Sequence, residues 1–234
     1  KINLPKVHVT TDYCRDGFVE DQARWFSDLG YSAAIFRHKV SLEHPCPVNR
    51  FYLPFSVDKS LYLKYNRLNY LSKSPKVAFL GTSDYSDGLY SHRRAAIAAL
   101  DKAGMLSSSK VIDKNTGKRQ MITGPSYQRF LGRHRFGLTC GGTCNYLTAK
   151  YLQIPASGAM LVCTETEGLE AFPKDTYIKY SKSNTSKLID DISYFIKNKK
   201  EAKDRAKILS SYVFQNHNHE IRAAEFMSIL KSLV

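Results

Sequence analysis

Apolar and polar positions along the chain fall into two periods. Val77-Ala78-Phe79-Leu80, Phe136-Gly137-Leu138-Thr139 and Ala159-Met160-Leu161-Val162-Cys163 are short, nearly unbroken apolar runs closed by glycine or polar residues. Runs of that kind predict strands buried on both faces. Helical spacing fills the gaps: Ser91 to Ala103 stopped by Gly104, Pro125 to Gly132, and Asn145 to Ile154 stopped near Pro155 and Gly158. After a short strand at Thr176 to Tyr180, two amphipathic helices are predicted, at roughly 184–198 and 200–213, and then a last helix from about 218 to 233. The first sixty residues carry a weaker version of the same pattern. Lys6 to Thr11, Tyr31 to Phe36 and Asn49 to Leu53 read as strands, and Phe18 to Leu29 as a helix ended by Gly30. Lys110 to Asp113 is strand-like and Asp113 to Thr123 a turn or hairpin. Asp58 to Ser74, polar with tyrosines and lysines, is predicted as a linker or an exposed helix.

Strand alternating with helix predicts an α/β fold with a Rossmann-like parallel sheet covered on both faces. The expected division is a short α/β segment and linker over 1–74, then the main domain over 75–234. Such sheets bind ligands beyond the carboxyl ends of their strands, near a switch in strand order. That rule selects three loops: Thr10 to Tyr13, Gly81 to Tyr90, and Cys140 to Asn145.

The first two donor-type candidates follow from those loops. Gly81 and Thr82 end a buried strand, and Tyr90 and Arg93 stand at the next helix start, where a backbone can approach an anion and an arginine can clamp it. In the second loop, Gly141 and Gly142 are expected to leave backbone N–H groups free at a helix start beginning near Asn145. Thr143, Tyr146, Thr148, Lys150 and Gln153 follow, with Tyr146, Lys150 and Gln153 sharing a helical face. Neither a GxxxxGK[ST] loop nor a GxGxxG turn is present, so kinase and NAD-enzyme readings have no support. Asp12, just past the first strand, could serve as a general base. His8 lies inside that strand and reads as structural.

Composition narrows the partners. Hydrophobic residues make up 43% of the 234 and no apolar run approaches membrane-spanning length, so a packed core without a transmembrane segment is expected. The five cysteines lack any CxxC spacing and read as reduced cytosolic thiols rather than zinc ligands. Asp190-Asp191, the one acidic pair that invites a metal reading, falls within a predicted helix and reads as surface; no metal site and no cofactor are expected. A net charge of +14 asks for an anionic partner: nucleic acid, a membrane surface, or phosphorylated small molecules. The lysines at 197, 199, 200, 203 and 207 read as the solvated face of a helix or, alternatively, a face toward a membrane. The chain opens without Met and a strand begins almost at once, which predicts a piece of a longer polypeptide with further domains.

Phe136 to Phe172 resembles the donor-binding stretch of GT-B glycosyltransferases, "glycosyl transferases group 1". In that family a strand and small-residue loop lead into a helix bearing two glutamates eight positions apart, then Ala-x-Gly and a buried strand. Here Asn145 and Gln153 stand where the glutamates would fall, with Gly158 closing the pattern. The spore-maturation type of this superfamily is similar over about 75–234: Phe79-Leu80-Gly81, Tyr90 and Arg93, then Lys150, Gln153 and Gly158, then His217 and Arg222. More faintly, the chain resembles modules of multi-domain glycosyltransferases of large algal viruses, whose place would be the host cytoplasm. The resemblance implies a GT-B C-terminal lobe with a shortened N-terminal lobe. It implies a cytoplasmic, metal-independent glycosyltransferase that takes a nucleotide-diphosphate sugar, a UDP-linked hexose or a deoxyhexose such as rhamnose, and delivers the sugar to a glycan or other hydroxyl acceptor. With both glutamates replaced by amides, inversion is favoured over retention. Two other classes stay open: a non-catalytic half-enzyme that binds a nucleotide sugar or glycan, and a basic nucleic-acid binder, which has fifteen tyrosines but no recognisable motif.

Overall fold

A computed structural model describes residues 5–10, 24–43, 45–81, 90–108, 111–112, 119–120, 122–142 and 144–234. Strands β1 (Val7–Thr10), β2 (Ala33–Phe36) and β3 (Asn49–Tyr52) form a parallel sheet in the order β1-β2-β3. The central strand is buried throughout, as a parallel strand between crossovers must be. Phe26, from a helical turn at 24–28, packs on Ala34 and Phe36 beneath it.

The chain then crosses to a larger unit. Its strands β4 (Ser74–Phe79), β5 (Leu106–Ser108), β8 (His134–Leu138), β9 (Met160–Cys163) and β10 (Tyr177–Lys179) are all parallel, in the order β10-β9-β8-β4-β5. The intervening β6 (Val111–Ile112) and β7 (Arg119–Gln120) make the small antiparallel hairpin that the turn-rich stretch predicted. Side chains of the large sheet alternate strictly. Val77, Phe79, Phe136, Leu138, Met160 and Val162 enter one core, against α2 (Ser91–Lys102) and α5 (Thr185–Lys197). Ala78, Leu161 and Cys163 enter the other, against α1 (Lys59–Asn66), α3 (Gly124–Gly132) and α4 (Lys150–Ala156). Helix α6 (Lys199–Asn216) serves both, through Ala202 and Ala206 on one side and Leu209 and Val213 on the other. Gly137 lets α4 come close, since a Cβ there would lie 2.7 Å from Ile154.

Two expectations are corrected. The stretch 58–74 does hold a helix, but one with a buried face: Asp58 caps α1 by accepting from the N–H groups of Ser60 and Leu61, Lys59, Ser60, Leu61 and Lys64 are exposed, and Tyr62 and Tyr65 are buried against α3. Tyrosine reads as polar in a pattern, yet its ring buries as well as a leucine. The helix expected from Asn145 begins only at Lys150. Asn145 adopts a left-handed φ of 51°, and the N–H of Tyr146 turns back to the Gly141 carbonyl, so 141–146 is a closed turn.

The last helix, α7 (His219–Lys231), starts on an Asn218 cap and returns to the crossover between the sheets, where Val57 donates to His217 O and His219 donates to Val57 O. Among the described residues, no helix is long and apolar enough to cross a membrane.

Candidate functional site

From β4 the chain moves to β5 on one side, then jumps back to β8 on the other. The order therefore switches between β4 and β8, and the crevice beyond their carboxyl ends is the expected ligand position. Both predicted loops lie there.

At the end of β4, Gly81 has φ +152°, and a Cβ on it would sit 2.6 Å from Lys150 Nζ and 3.7 Å from Arg93 Nη1. Lys150 Nζ donates to Leu80 O at 2.6 Å. Arg93, in the first turn of α2, is only 4% exposed; its guanidinium lies 3.8 Å over the Tyr90 ring and 5.7 Å from that of Phe79. Thus Gly81, Tyr90, Arg93 and Lys150, seventy residues apart in sequence, converge. Burial, with the neighbouring Arg93 charge, pushes the Lys150 ammonium down to about 8. An arriving anion would relieve both effects.

The loop after β8 departs from expectation in one respect. Gly141 does not offer its N–H: it donates to Thr164 Oγ1 at 3.1 Å, and a Cβ on Gly141 would strike Thr166 Cγ2 at 2.3 Å. That glycine serves close packing between the loops after β8 and β9. Gly142 has φ +68° and is half-buried. The Oγ1 atoms of Thr139 and Thr148, before and after the turn, are buried with no partner among the described residues. Lys150 and Gln153 share a face of α4, but Tyr146 does not join them. Its ring stacks on His38, centroids 4.0 Å apart, and Asn145 is exposed on the turn rather than on a helix.

His38, Lys39, Thr164, Thr166 and Glu167 were not selected from the sequence. His38 and Lys39 follow β2 and reach across from the small sheet, His38 to Tyr146 and Lys39 to Glu167 at 3.7 Å. The strand-end rule applied to β2 and β9 would have found all five. Asp12, Thr82 and Thr143 lie outside the described residues. The strand before Asp12 ends beside the same crossover, Arg37 N donating to Thr10 O. His8 packs among Trp25, Phe26 and Tyr31 at 5.1 to 5.4 Å, in keeping with a structural role. His217 and Arg222 are also structural. Arg222 donates to His217 Nδ1 and to the carbonyls of Asn216 and Phe55, tying α7 to the crossover. Burial and the Arg222 charge push His217 down to about 4. Asp191 is paired with Lys187 on the surface of α5. The described cysteines, Cys46, Cys140, Cys144 and Cys163, are all free thiols. Among the described residues, no three His, Cys, Asp or Glu side chains gather where they could hold a metal ion.

Comparison with known proteins agrees with this geometry. Residues 78–228 match a family described as glycosyl transferase-like. A search of curated protein sequences found no match. Among solved structures, HepE of Anabaena in complex with UDP and glucose superposes with a TM-score of 0.69 at 12% identity, over 97% of this chain and 72% of that one. The UDP-forming α,α-trehalose-phosphate synthase of Burkholderia vietnamiensis gives 0.66 at 11% identity, over 99% and 70%. The sucrose-phosphate synthase of Thermosynechococcus elongatus gives 0.65 at 12%, over 97% and 67%. At such identities the likeness establishes a shared fold, the GT-B arrangement of two facing α/β units.

Proposed function

This chain belongs to the glycosyl transferase-like family, and from that premise we propose that it moves a sugar from a UDP-linked donor, a hexose or deoxyhexose, to a hydroxyl of a glycan or other acceptor. The observation that carries the donor assignment is the convergence of Arg93 and Lys150 on Gly81 at the switch in strand order. Solved proteins of the same fold include one with UDP and glucose bound, which supports uridine as the donor's nucleoside.

In the proposed reaction the acceptor oxygen attacks the anomeric carbon as the bond from that carbon to the diphosphate breaks, through an oxocarbenium-like state. The departing diphosphate gathers charge, and Arg93 and Lys150 stabilise it in place, with the Gly142 backbone close enough to contribute. We assign this task to side chains alone, without a metal. The acceptor proton goes to Asp12, and attack from the face opposite the diphosphate inverts the anomeric centre.

Calorimetry with UDP tests the donor site. Arg93→Ala should weaken binding by about 1.5–3 kcal/mol, the range for a hydrogen bond to a charged group. An unchanged affinity removes Arg93 from the site. A donor-hydrolysis screen over nucleotide sugars, read by NMR, identifies the sugar and its stereochemical course. Chelation by EDTA should leave transfer within about twofold, because fixed cations do the work of leaving-group stabilisation; abolition of activity overturns metal independence.

A further inference from the structure

The turn between α5 and α6 carries a dense group of lysines that the proposed donor site does not use. Lys197, Lys199, Lys200, Lys203 and Lys207 are all exposed, and none is in an ion pair with another described residue. The neighbouring acid Glu201 is already engaged by Arg205 and the Tyr194 hydroxyl, which leaves Asp204 alone to oppose five cations. The α6 N-terminus adds the positive end of an 18-residue helix dipole. Two large apolar side chains frame the lysines: Tyr194 is 50% exposed and Ile208 52%. Ile208 lines two shallow hollows of the surface, of about 630 and 490 Å³.

We propose that this α5–α6 corner docks on an anionic lipid surface. The charge pattern favours lipid over nucleic acid. The cations are lysines, compact point charges on flexible stems, and the local arginine, Arg205, is committed to Glu201 and to the Asp175 carbonyl. The adjoining hollow, which Phe172, Tyr177, Tyr194 and Phe195 line, also holds Glu165, Glu170, Asp175, Asp191 and Glu201, carboxylates that would repel a phosphodiester strand. An exposed lysine stripe beside Ile208 suits a flat field of mobile headgroups, in which the isoleucine side chain enters the interface and the Tyr194 ring lies at its edge.

The location sets the orientation. Helix α5 leaves from the carboxyl end of β10 and runs about 20 Å at 1.5 Å per residue, so Lys197 lies toward the end of the sheet away from the donor loops. A chain docked by this corner keeps its crevice open to solvent. The inference therefore stands apart from the donor assignment.

Co-sedimentation of the full chain with vesicles tests it. Binding is expected to phosphatidylcholine vesicles containing about 30 mol % phosphatidylglycerol, not to phosphatidylcholine alone, and to fall steeply with salt. The variant K200E/K203E/K207E should lose at least about tenfold in partition, and the neutral K203Q/K207Q an intermediate amount, since each exposed lysine contributes separately. UDP affinity, measured by calorimetry on both variants, should be unchanged and reports that they are folded. Absence of binding to anionic vesicles, equal binding by the folded charge-reversed variant, or tighter lysine-dependent binding to an oligonucleotide at the same salt would each overturn the proposal.

Discussion

Lys150 is the residue whose chemistry is most exposed to test. Folded, its ammonium loses its proton near pH 8 instead of at the ordinary 10.5, because burial and Arg93 both disfavour the charge. A bound diphosphate favours the charge and draws the pKa back up. UDP affinity should therefore be fully favoured by this group below about pH 7 and fall through pH 8, by about tenfold at pH 9, with uptake of a proton on binding above pH 8. Lys150→Arg, which keeps its charge, should hold the affinity flat over the same range. Calorimetry in two buffers of different ionisation enthalpy reads both the affinity and the proton. A flat profile in the wild type would place Lys150 outside the anion's field. Arg93 was legible in the sequence as a helix-start arginine after a glycine. Its burial and its seat on the Tyr90 ring were not, since they depend on where α2 lies against β4.

At the scale of elements, the turn after β8 separates two glycines that look alike in sequence. Gly141 has no room for a side chain: its Cβ would meet Thr166 and the Tyr146 carbonyl at 2.3 and 2.9 Å. Gly141→Ala should cost about 1–3 kcal/mol of stability, the range for overpacking. Gly142 is half-buried at a left-handed φ of 68°, where alanine costs about 1–2 kcal/mol of backbone strain. Gly142→Ala should fold with the smaller loss and show the larger drop in UDP affinity, because its backbone faces the crevice in the proposed site. Urea midpoints and UDP calorimetry on the pair decide the matter; an equal loss of affinity in both would deny the distinction. The apolar pattern located β4, β8, β9 and β10 of the large sheet but not β5, whose Leu106-Ser107-Ser108 holds a single apolar residue. It could not show that the Gly141 N–H is taken, because the acceptor, Thr164, is supplied by the loop after the neighbouring strand β9 and lies 23 residues on. Nor could it show the late start of α4, which follows from the left-handed Asn145 rather than from helix propensity.

For the molecule as a whole, the sheet order β10-β9-β8-β4-β5 matters more than any one motif, and strand order is not written in local periodicity. It brings Gly81 and Lys150 together, and the crossover brings β2 over the same crevice, where His38 meets Tyr146 and Lys39 meets Glu167. Those partners lie more than a hundred residues apart, which is why the sequence hid them. Arg222, bonded to the Phe55 carbonyl, and the backbone bonds of Val57 with His217 and His219 fix the crossover from the other side. The crevice is thus bounded by donor loops on one sheet and by strand ends of the other, and Asp12 follows one of those strand ends by two residues. A carboxylate from that side is what an acceptor hydroxyl requires when the donor is held by residues after 77. Asp12→Asn keeps the shape and removes the base, and general-base catalysis contributes about 100- to 10,000-fold. We expect transfer to fall by at least about 100-fold while UDP affinity stays within about threefold, since the two functions belong to different sheets. Transfer within a few-fold of wild type would exclude Asp12 as the base. A fall in affinity that matches the fall in rate would instead make it a residue that positions the donor, and the division of labour between the sheets would fail with it.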